Sequence, residues 1–376
     1  MGGRNSTYRG CLLGLAVGDA MGYAVDRKTW EQICRDYGPN GLLGYDLVNG
    51  YAEVSSYTQL AAVTANGLLM GTTRGQLQGR MAPFIRYVSV AVKEWNQTQH
   101  TRREPDRAYC WINRVPELRR RRCMDTRMLD TISRDRLGTL EEPVNSFSTP
   151  GMLTAAVAVG LYYRRERMKV GEVGRLGAEA VALTHGEPMA FLSGAVLAYI
   201  ITGILNAAEC PVAEHILRAA DAVETQFGRQ YPQAAALKKK IYATVESTRT
   251  GNTDHQKAME QLGCTDCDSV LCGAVYAVLT CGGDFDTAMI TAVNHSGASA
   301  AVGALCGAIL GAKFGEETLP EFYLECLDCV PVLQSLADDL VQGCPLDRSA
   351  RLYDDDWDRK YLHGERIEDV QWDTET

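Results

Sequence analysis

An excess of basic charge is missing from this chain: 38 Lys and Arg residues face 47 Asp and Glu, a net charge of −9. Nucleic-acid recognition relies on basic surface that neutralises phosphates, so no nucleic-acid partner is expected. An apolar leader is missing too, since Met1-Gly2-Gly3-Arg4-Asn5-Ser6 runs straight into fold-like sequence, and a cytoplasmic location is expected. Alternating apolar and polar runs are absent, which speaks against strands, and there is no internal repeat or low-complexity linker. Charge is absent altogether from residues 189–208, a stretch close to the length of a bilayer span. That stretch carries Ser193, Gly194, Thr202, Gly203 and Asn206 and has no Lys or Arg cluster beside it. It therefore reads as a helix buried at the centre of a large helical domain, and no membrane partner is expected.

What is present suits a large core. Hydrophobic residues make up 46% and charged residues 23% of 376 positions, an ordinary globular balance. Helical periodicity dominates. Thr58–Met70 sets Leu60, Val63, Thr64, Gly67 and Leu68 at i, i+3, i+4 spacing. Gly151–Tyr163, Cys272–Thr280, Asp286–Val293 and Ala300–Ala312 repeat the pattern, and Pro188, Pro211 and Pro232 stand where helices begin. Frequent Gly and Ala on these faces favour close helix packing. The expectation is an all-α fold in a single domain over 1–376. The 13 cysteines include Cys264-x-x-Cys267 and Cys326-x-x-Cys329, a zinc-compatible spacing. Their helical surroundings and the isolated remaining thiols favour small buried hydrophobes in a reducing compartment.

Two regions stand apart. Residues 94–140 are polar and arginine-rich, with Arg102, Arg103, Arg107 and Arg114, then Arg119-Arg120-Arg121-Arg122, among acids Glu104, Asp106, Glu117, Asp125 and Asp130. They read as a solvated connecting arm. The functional alternative is an arginine surface at Arg119–Arg122 for a phosphate or an acidic protein partner. Residues 346–376 form an acidic tail, expected to lie over the domain and anchor through Trp357 and Tyr361.

Two motifs carry chemical meaning. The first is Tyr8-Arg9-Gly10-Cys11-Leu12-Leu13-Gly14-Leu15-Ala16-Val17-Gly18-Asp19-Ala20-Met21-Gly22, followed by Val54-Ser55-Ser56-Tyr57-Thr58-Gln59. The second is Ala292-Val293-Asn294-His295-Ser296-Gly297-Ala298-Ser299-Ala300-Ala301-Val302-Gly303-Ala304. Together they resemble the ADP-ribosylglycohydrolase family, which includes the dinitrogenase-reductase-activating glycohydrolases. In that family the stretches read G-x-x-L-G-x-x-x-G-D-A-x-G, T/S-D-D-T-Q and N-H-S-G-D-S-D-S/T-x-A. The segments Leu183–Pro188, Asp284–Ala288 and Lys313–Pro320 resemble further family landmarks. The resemblance implies one all-helical, orthogonally packed domain. It also implies two Mg²⁺ or Mn²⁺ ions that bind ribose hydroxyls and activate water for glycosidic cleavage.

This chain keeps Asp19 of the first stretch but departs from that pattern at every carboxylate of T/S-D-D-T-Q and N-H-S-G-D-S-D-S/T-x-A. The degenerate metal positions are Ser56, Tyr57, Ala298, Ala300 and Ala301. Hard divalent ions need oxygen ligands, and a close ion pair needs several anions. Alanine offers none, and a tyrosine ring intrudes on the space. The expectation is no metal cofactor. Asp26 stands where the family often has a glutamate working as acid/base or orienting substrate. The phosphate-cradling N-x-S-x-G-x-G-x-x-M-R loop reads Asn145-Ser146-Phe147-Ser148-Thr149-Pro150-Gly151-Met152-Leu153-Thr154. Of its glycines only Gly151 remains, and Pro150 removes a backbone donor. The expected remnant cleft comprises Asp19, Ser55, Ser56, Tyr57, Asn145, Ser146, Ser148, Gly151, His185, His295, Gly297 and Ser299. For the two histidines, helix-start hydrogen bonding is favoured over base catalysis.

The reading that follows is a pseudoenzyme that has lost metal-dependent de-ADP-ribosylation. It acts by binding an ADP-ribose-like molecule, an ADP-ribosylated protein or another protein. One alternative is an active, metal-independent hydrolase using Asp26 and Glu53, the latter swinging into the vacated space. The other is a structural or assembly protein.

Overall fold

The computed structural model describes residues 2–101, 108–123, 125–163, 168–251, 254–346 and 352–365. Among them the chain forms seventeen α-helices and no β-sheet, only isolated bridges at Val48–Tyr51 and Ala52–Leu327. The helices are α1 (Gly2–Tyr23), α2 (Trp30–Tyr37), α3 (Ser56–Gln78), α4 (Phe84–His100), α5 (Thr126–Ile132) and α6 (Ala155–Tyr162). There follow α7 (Val170–Ala182), α8 (Pro188–Asn206), α9 (Val212–Phe227), α10 (Gln233–Ser247), α11 (His255–Leu262) and α12 (Cys267–Cys281). The last five are α13 (Phe285–Val293), α14 (Ser299–Phe314), α15 (Glu321–Glu325), α16 (Val330–Gln342) and α17 (Asp355–Asp358). The prolines mark helix starts: Pro188 is the first residue of α8, while Pro211 and Pro232 cap α9 and α10.

The centre of the molecule is the antiparallel pair α1 and α14. Glycines four apart fall on one stripe of a helix, and here two such stripes meet. Gly10 faces Gly311, Gly14 faces Gly307, Gly18 faces Gly303, and Gly22 faces Ser299. A Cβ added to Gly14 would lie 2.2 Å from the Gly307 carbonyl oxygen, and one on Gly18 would lie 1.9 Å from that of Gly303. The two backbones are therefore in direct contact, a spacing open only to residues without a side chain. One consequence is topological. The C-terminal end of α1 is pressed against the N-terminal end of α14, so two motifs far apart in sequence become neighbours.

The charge-free stretch becomes α8, the one helix among the described residues long and apolar enough to cross a membrane by length and composition. It is mostly buried and packs on α6, α7 and α9, with Gly194 against Gly177 and Gly160 against Ile201.

The arginine-rich stretch is not a solvated arm. Trp111, Ile112, Val115 and Leu118 are buried, and Glu94 of α4 accepts from the amides of Tyr109 and Cys110 and from Asn113 Nδ2. Gln99 Oε1 accepts from the Arg122 and Cys123 amides, while Gln59 Nε2 donates to the Arg120 carbonyl at 2.8 Å. The apolar residues interleaved with the arginines fix this segment into the core, which composition alone conceals. Arg102, Arg103, Glu104, Asp106 and Arg107 lie outside the described residues. In the acidic tail, Trp357 and Tyr361 are buried: Trp357 Nε1 donates to Thr73 Oγ1 at 3.0 Å, and Tyr361 donates to Asp339 Oδ2 at 2.6 Å. Residues 347–351 and 366–376 of that tail lie outside the described residues.

Candidate functional site

Two helix N-termini meet at the end of the glycine seam, and each has an aspartate lodged in it. Backbone amides at a helix start lack intrahelical partners and carry partial positive charge, so a carboxylate fits there. Asp19 of α1 serves the start of α3. It accepts from the amides of Ser55 (2.9 Å) and Thr58 (3.0 Å) and from the hydroxyls of Ser55 (2.5 Å) and Thr58 (2.6 Å). It is wholly buried, and burial pushes its pKa up to about 6 against the lowering effect of those four donors. Asp26 serves the start of α14, accepting from the Ala300 amide at 3.1 Å, with the Arg27 guanidinium 3.7 Å away. Burial raises Asp26 to about 6 as well, opposed by the Ala300 N–H and Arg27.

The connecting turn is tied down around them. Arg27 has a left-handed backbone, φ 59°, held by its amide donating to the Gly297 carbonyl at 2.8 Å. Asn294 exchanges hydrogen bonds with the Leu42 backbone, and Ser296 donates through both amide and hydroxyl to Glu260. His295 pairs through Nε2 with the Ala292 carbonyl at 3.0 Å. His185 is flanked by Thr149 Oγ1 at 3.0 Å and Thr184 Oγ1 at 2.7 Å. Burial lowers both histidines to about 4, so near neutrality they are uncharged, hydrogen-bonded parts of the framework.

Beside Asp26 the expected cleft is a cavity of about 20 Å³, lined by Asp26, Ser55, Ser56, Tyr57 and Gly151 with Tyr23, Arg27, Arg122, Asp125 and Met128. That is room for roughly one water molecule. Tyr57 is buried beside both acids, and burial followed by the field of Asp26 drives its phenol far from ionisation. Glu53 does not swing into the space. It is ion-paired with Arg122 and, at 3.9 Å, with Arg120. The two guanidiniums hold the Glu53 carboxylate where it is.

Several other residues expected in the cleft hold the loops instead. Asn145 donates to the Thr184 carbonyl at 2.8 Å and accepts from the Phe147 and Gly186 amides. Ser148 donates to Asp266 Oδ1, and Ser299 donates to the His295 carbonyl at 3.3 Å. Ser146 is exposed. Gly297 is packed so closely that a Cβ would lie 2.6 Å from the Cys264 carbonyl oxygen. Sequence reasoning missed Tyr23, Arg27, Arg122, Asp125 and Met128 as cavity residues. Only Arg122 left a signal, inside the four-arginine run.

The ADP-ribosylglycohydrolase family model matches residues 3–350. The chain belongs to the ADP-ribosylglycohydrolase family. An uncharacterized protein of Archaeoglobus fulgidus is 26% identical over 345 residues, which is 89% of this chain and 96% of that protein. A solved structure, an ADP-ribosylglycohydrolase-related protein complex, shares the fold with a TM-score of 0.58 at 22% identity over 92% of this chain and 100% of that one.

The residues of this family member do not fit the paired divalent ions that the family implies. Ala298, Ala300 and Ala301 are buried methyl groups with no donor atom. Asp19 already accepts four hydrogen bonds. Asp26 and Asp125, the two carboxylates of the cavity lining, share it with the guanidiniums of Arg27 and Arg122. Among the described residues no cluster of three His, Cys, Asp or Glu side chains is arranged to hold a metal. The first CxxC pair is also directed elsewhere, Cys264 Sγ toward the Met259 carbonyl and Cys267 Sγ toward that of Thr149.

Proposed function

We propose that this protein is a catalytically silent ADP-ribosylglycohydrolase that works by binding. The observation that carries the reading is that motif positions 298, 300 and 301 are buried alanines, beside a cavity of only about 20 Å³ in which Tyr57, Arg27 and Arg122 accompany Asp26 and Asp125. A nucleotide sugar occupies several hundred Å³ in a typical site, so a cavity this small favours a protein partner over ADP-ribose in the old cleft. The Arg119–Arg122 face suits an acidic partner. It lines a hollow of about 500 Å³ with Thr98–Thr101 and Pro116, and Arg121 is exposed there. Metal-independent hydrolysis by Asp26 and Glu53 loses support from the same geometry, because Asp26 caps α14 and Glu53 is neutralised by Arg122.

Incubation with ADP-ribosyl-arginine and Mn²⁺ tests the reading. The expected result is no release of ADP-ribose above the blank, with or without EDTA. Release that EDTA abolishes contradicts the loss of metal chemistry, and release that EDTA leaves intact but Asp26→Asn abolishes supports the metal-independent alternative. A thermal shift with millimolar ADP-ribose is expected to be absent, and a clear shift would return the ligand to the cleft.

A further inference from the structure

The link between α2 and α3, residues 38–55, gathers apolar side chains on the outside of the molecule. Its centre is a tight hairpin, Val48-Asn49-Gly50-Tyr51. The Val48 amide donates to the Tyr51 carbonyl at 2.8 Å, and the Tyr51 amide donates to the Val48 carbonyl at 3.1 Å. Asn49 and Gly50 both take a left-handed backbone, φ 53° and 86°, in the two-residue turn that Asn-Gly favours. Residues bonded to each other in this way point their side chains to one face. Val48 and Tyr51 therefore stand side by side, 48% and 51% exposed.

The hairpin is anchored to α15. The Ala52 amide donates to the Cys326 carbonyl at 2.9 Å, just past the end of that helix. The Tyr45 ring packs edge-on against Tyr323 at 4.9 Å. Phe322 lies against Tyr323 at 4.2 Å and is itself 51% exposed. Leu43 and Leu47 of the same link are exposed as well. Apolar residues exposed singly are ordinary, but a group of them with a polar rim marks an interaction site. Hydrogen bonds and ring packing hold this group in place, so binding would order little further backbone.

The rim is acidic. Asp46 adjoins Tyr45 and Leu47, Glu321 adjoins Phe322, Glu325 adjoins Cys326, and all three carboxylates are exposed. Glu321 and Glu325 enter no ion pair among the described residues. Arg120 reaches this side, but Asp328 holds it at 3.3 Å and Glu53 at 3.9 Å. A two-fold contact between copies of this chain would set the rim against itself, and like charges at short range repel. We infer that the Val48–Tyr51 hairpin and α15 form a docking surface for a partner protein segment combining apolar side chains with Lys or Arg. The inference goes beyond the reading of the closed cleft and does not depend on it.

Fluorescence anisotropy on the full chain tests it with three short labelled peptides. The first mixes Leu and Phe with Lys, the second replaces each Lys by Glu, and the third replaces each Leu and Phe by Ser. The first is expected to bind, and the other two are not. V48S/Y51S is expected to weaken that binding about tenfold, the loss of a central aromatic and its neighbour. E321Q/E325Q is expected to weaken it about threefold and to flatten its salt dependence. All of these substitutions fall on exposed side chains, and the urea midpoint is expected to match wild type. If V48S/Y51S disturbs the fold, E321Q/E325Q still reports. No binding of the first peptide, or binding indifferent to both double variants, overturns the proposal. Equal binding of the Glu peptide removes the basic partner. A dimer in sedimentation velocity that V48S/Y51S disperses gives the surface to a second copy instead.

Discussion

The same two helices, α1 and α14, hold a region packed backbone on backbone and a region whose motif positions 298, 300 and 301 are alanine. Along their middle, glycine meets glycine at Gly10–Gly311, Gly14–Gly307 and Gly18–Gly303, with backbone against backbone. At their shared end, the positions that carry metal ligands in the family are alanine, serine and tyrosine. The difference separates two kinds of constraint. Packing at the seam is enforced by sterics on every folded molecule, whether or not it catalyses anything. The ligands answer only to chemistry, and once carboxylates are removed, small and aromatic side chains close the space while the helix starts keep Asp19 and Asp26 as caps.

The largest test of this contrast is Gly18→Val. Overpacking a tight core costs about 1–3 kcal/mol and occasionally more. With the first added carbon 1.9 Å from the facing carbonyl, the expected outcome is about 4 kcal/mol lost or no soluble protein, read from urea unfolding. Asp19→Ala comes next. It removes the acceptor of four hydrogen bonds at a wholly buried site, and the expected loss is about 3 kcal/mol. Asp26→Ala should cost about 1 kcal/mol, the loss of a helix-start acceptor, while Asp26→Asn should lie near zero because it keeps an acceptor and sheds a buried charge. If either alanine variant is as stable as wild type, the aspartates are relics rather than caps.

The smallest effect is the pH profile of the wild type. Asp19 and Asp26 bind protons below about 6 when folded but only near 3.8 when unfolded, so their share of stability rises as pH falls from about 6 to about 4. His185 and His295 have the opposite sign. Unfolded imidazole takes its proton near 6.5 and the folded rings only near 4, so their share falls over the same acid range. The two pairs oppose one another, and denaturant midpoints of the wild type should change little from this quartet. Asp26→Asn deletes one compensating group, so its stability should drop by about 1–2 kcal/mol relative to wild type between pH 6.5 and pH 4. A profile that stays parallel to wild type contradicts the raised Asp26.

Much of the architecture was legible in the chain. Frequent Gly and Ala on the helical faces announced close helix packing, and the residues around Asn294 and His295 carried the family resemblance. The partners were not legible. Nothing in one dimension pairs Gly14 with Gly307, or Glu53 with Arg122, because those contacts span the whole fold. The arginine run was misjudged as solvated because its anchors are backbone groups held by Gln59 and Gln99, and backbone hydrogen bonding leaves little mark on composition. Asp26 was read as a candidate acid/base from its place in the motif. Its geometry as a cap of α14 emerges only when α1 is laid against α14.

Manganese electron paramagnetic resonance bears most directly on the central claim that the emptied motifs hold no paired cations. The full chain is titrated with Mn²⁺ to millimolar concentration at pH 7.5 while the free six-line signal is followed. The expected result is a signal that grows in proportion to added Mn²⁺, with no spin-coupled pair. Loss of two equivalents of free signal per chain, or an exchange-coupled dinuclear spectrum, contradicts it.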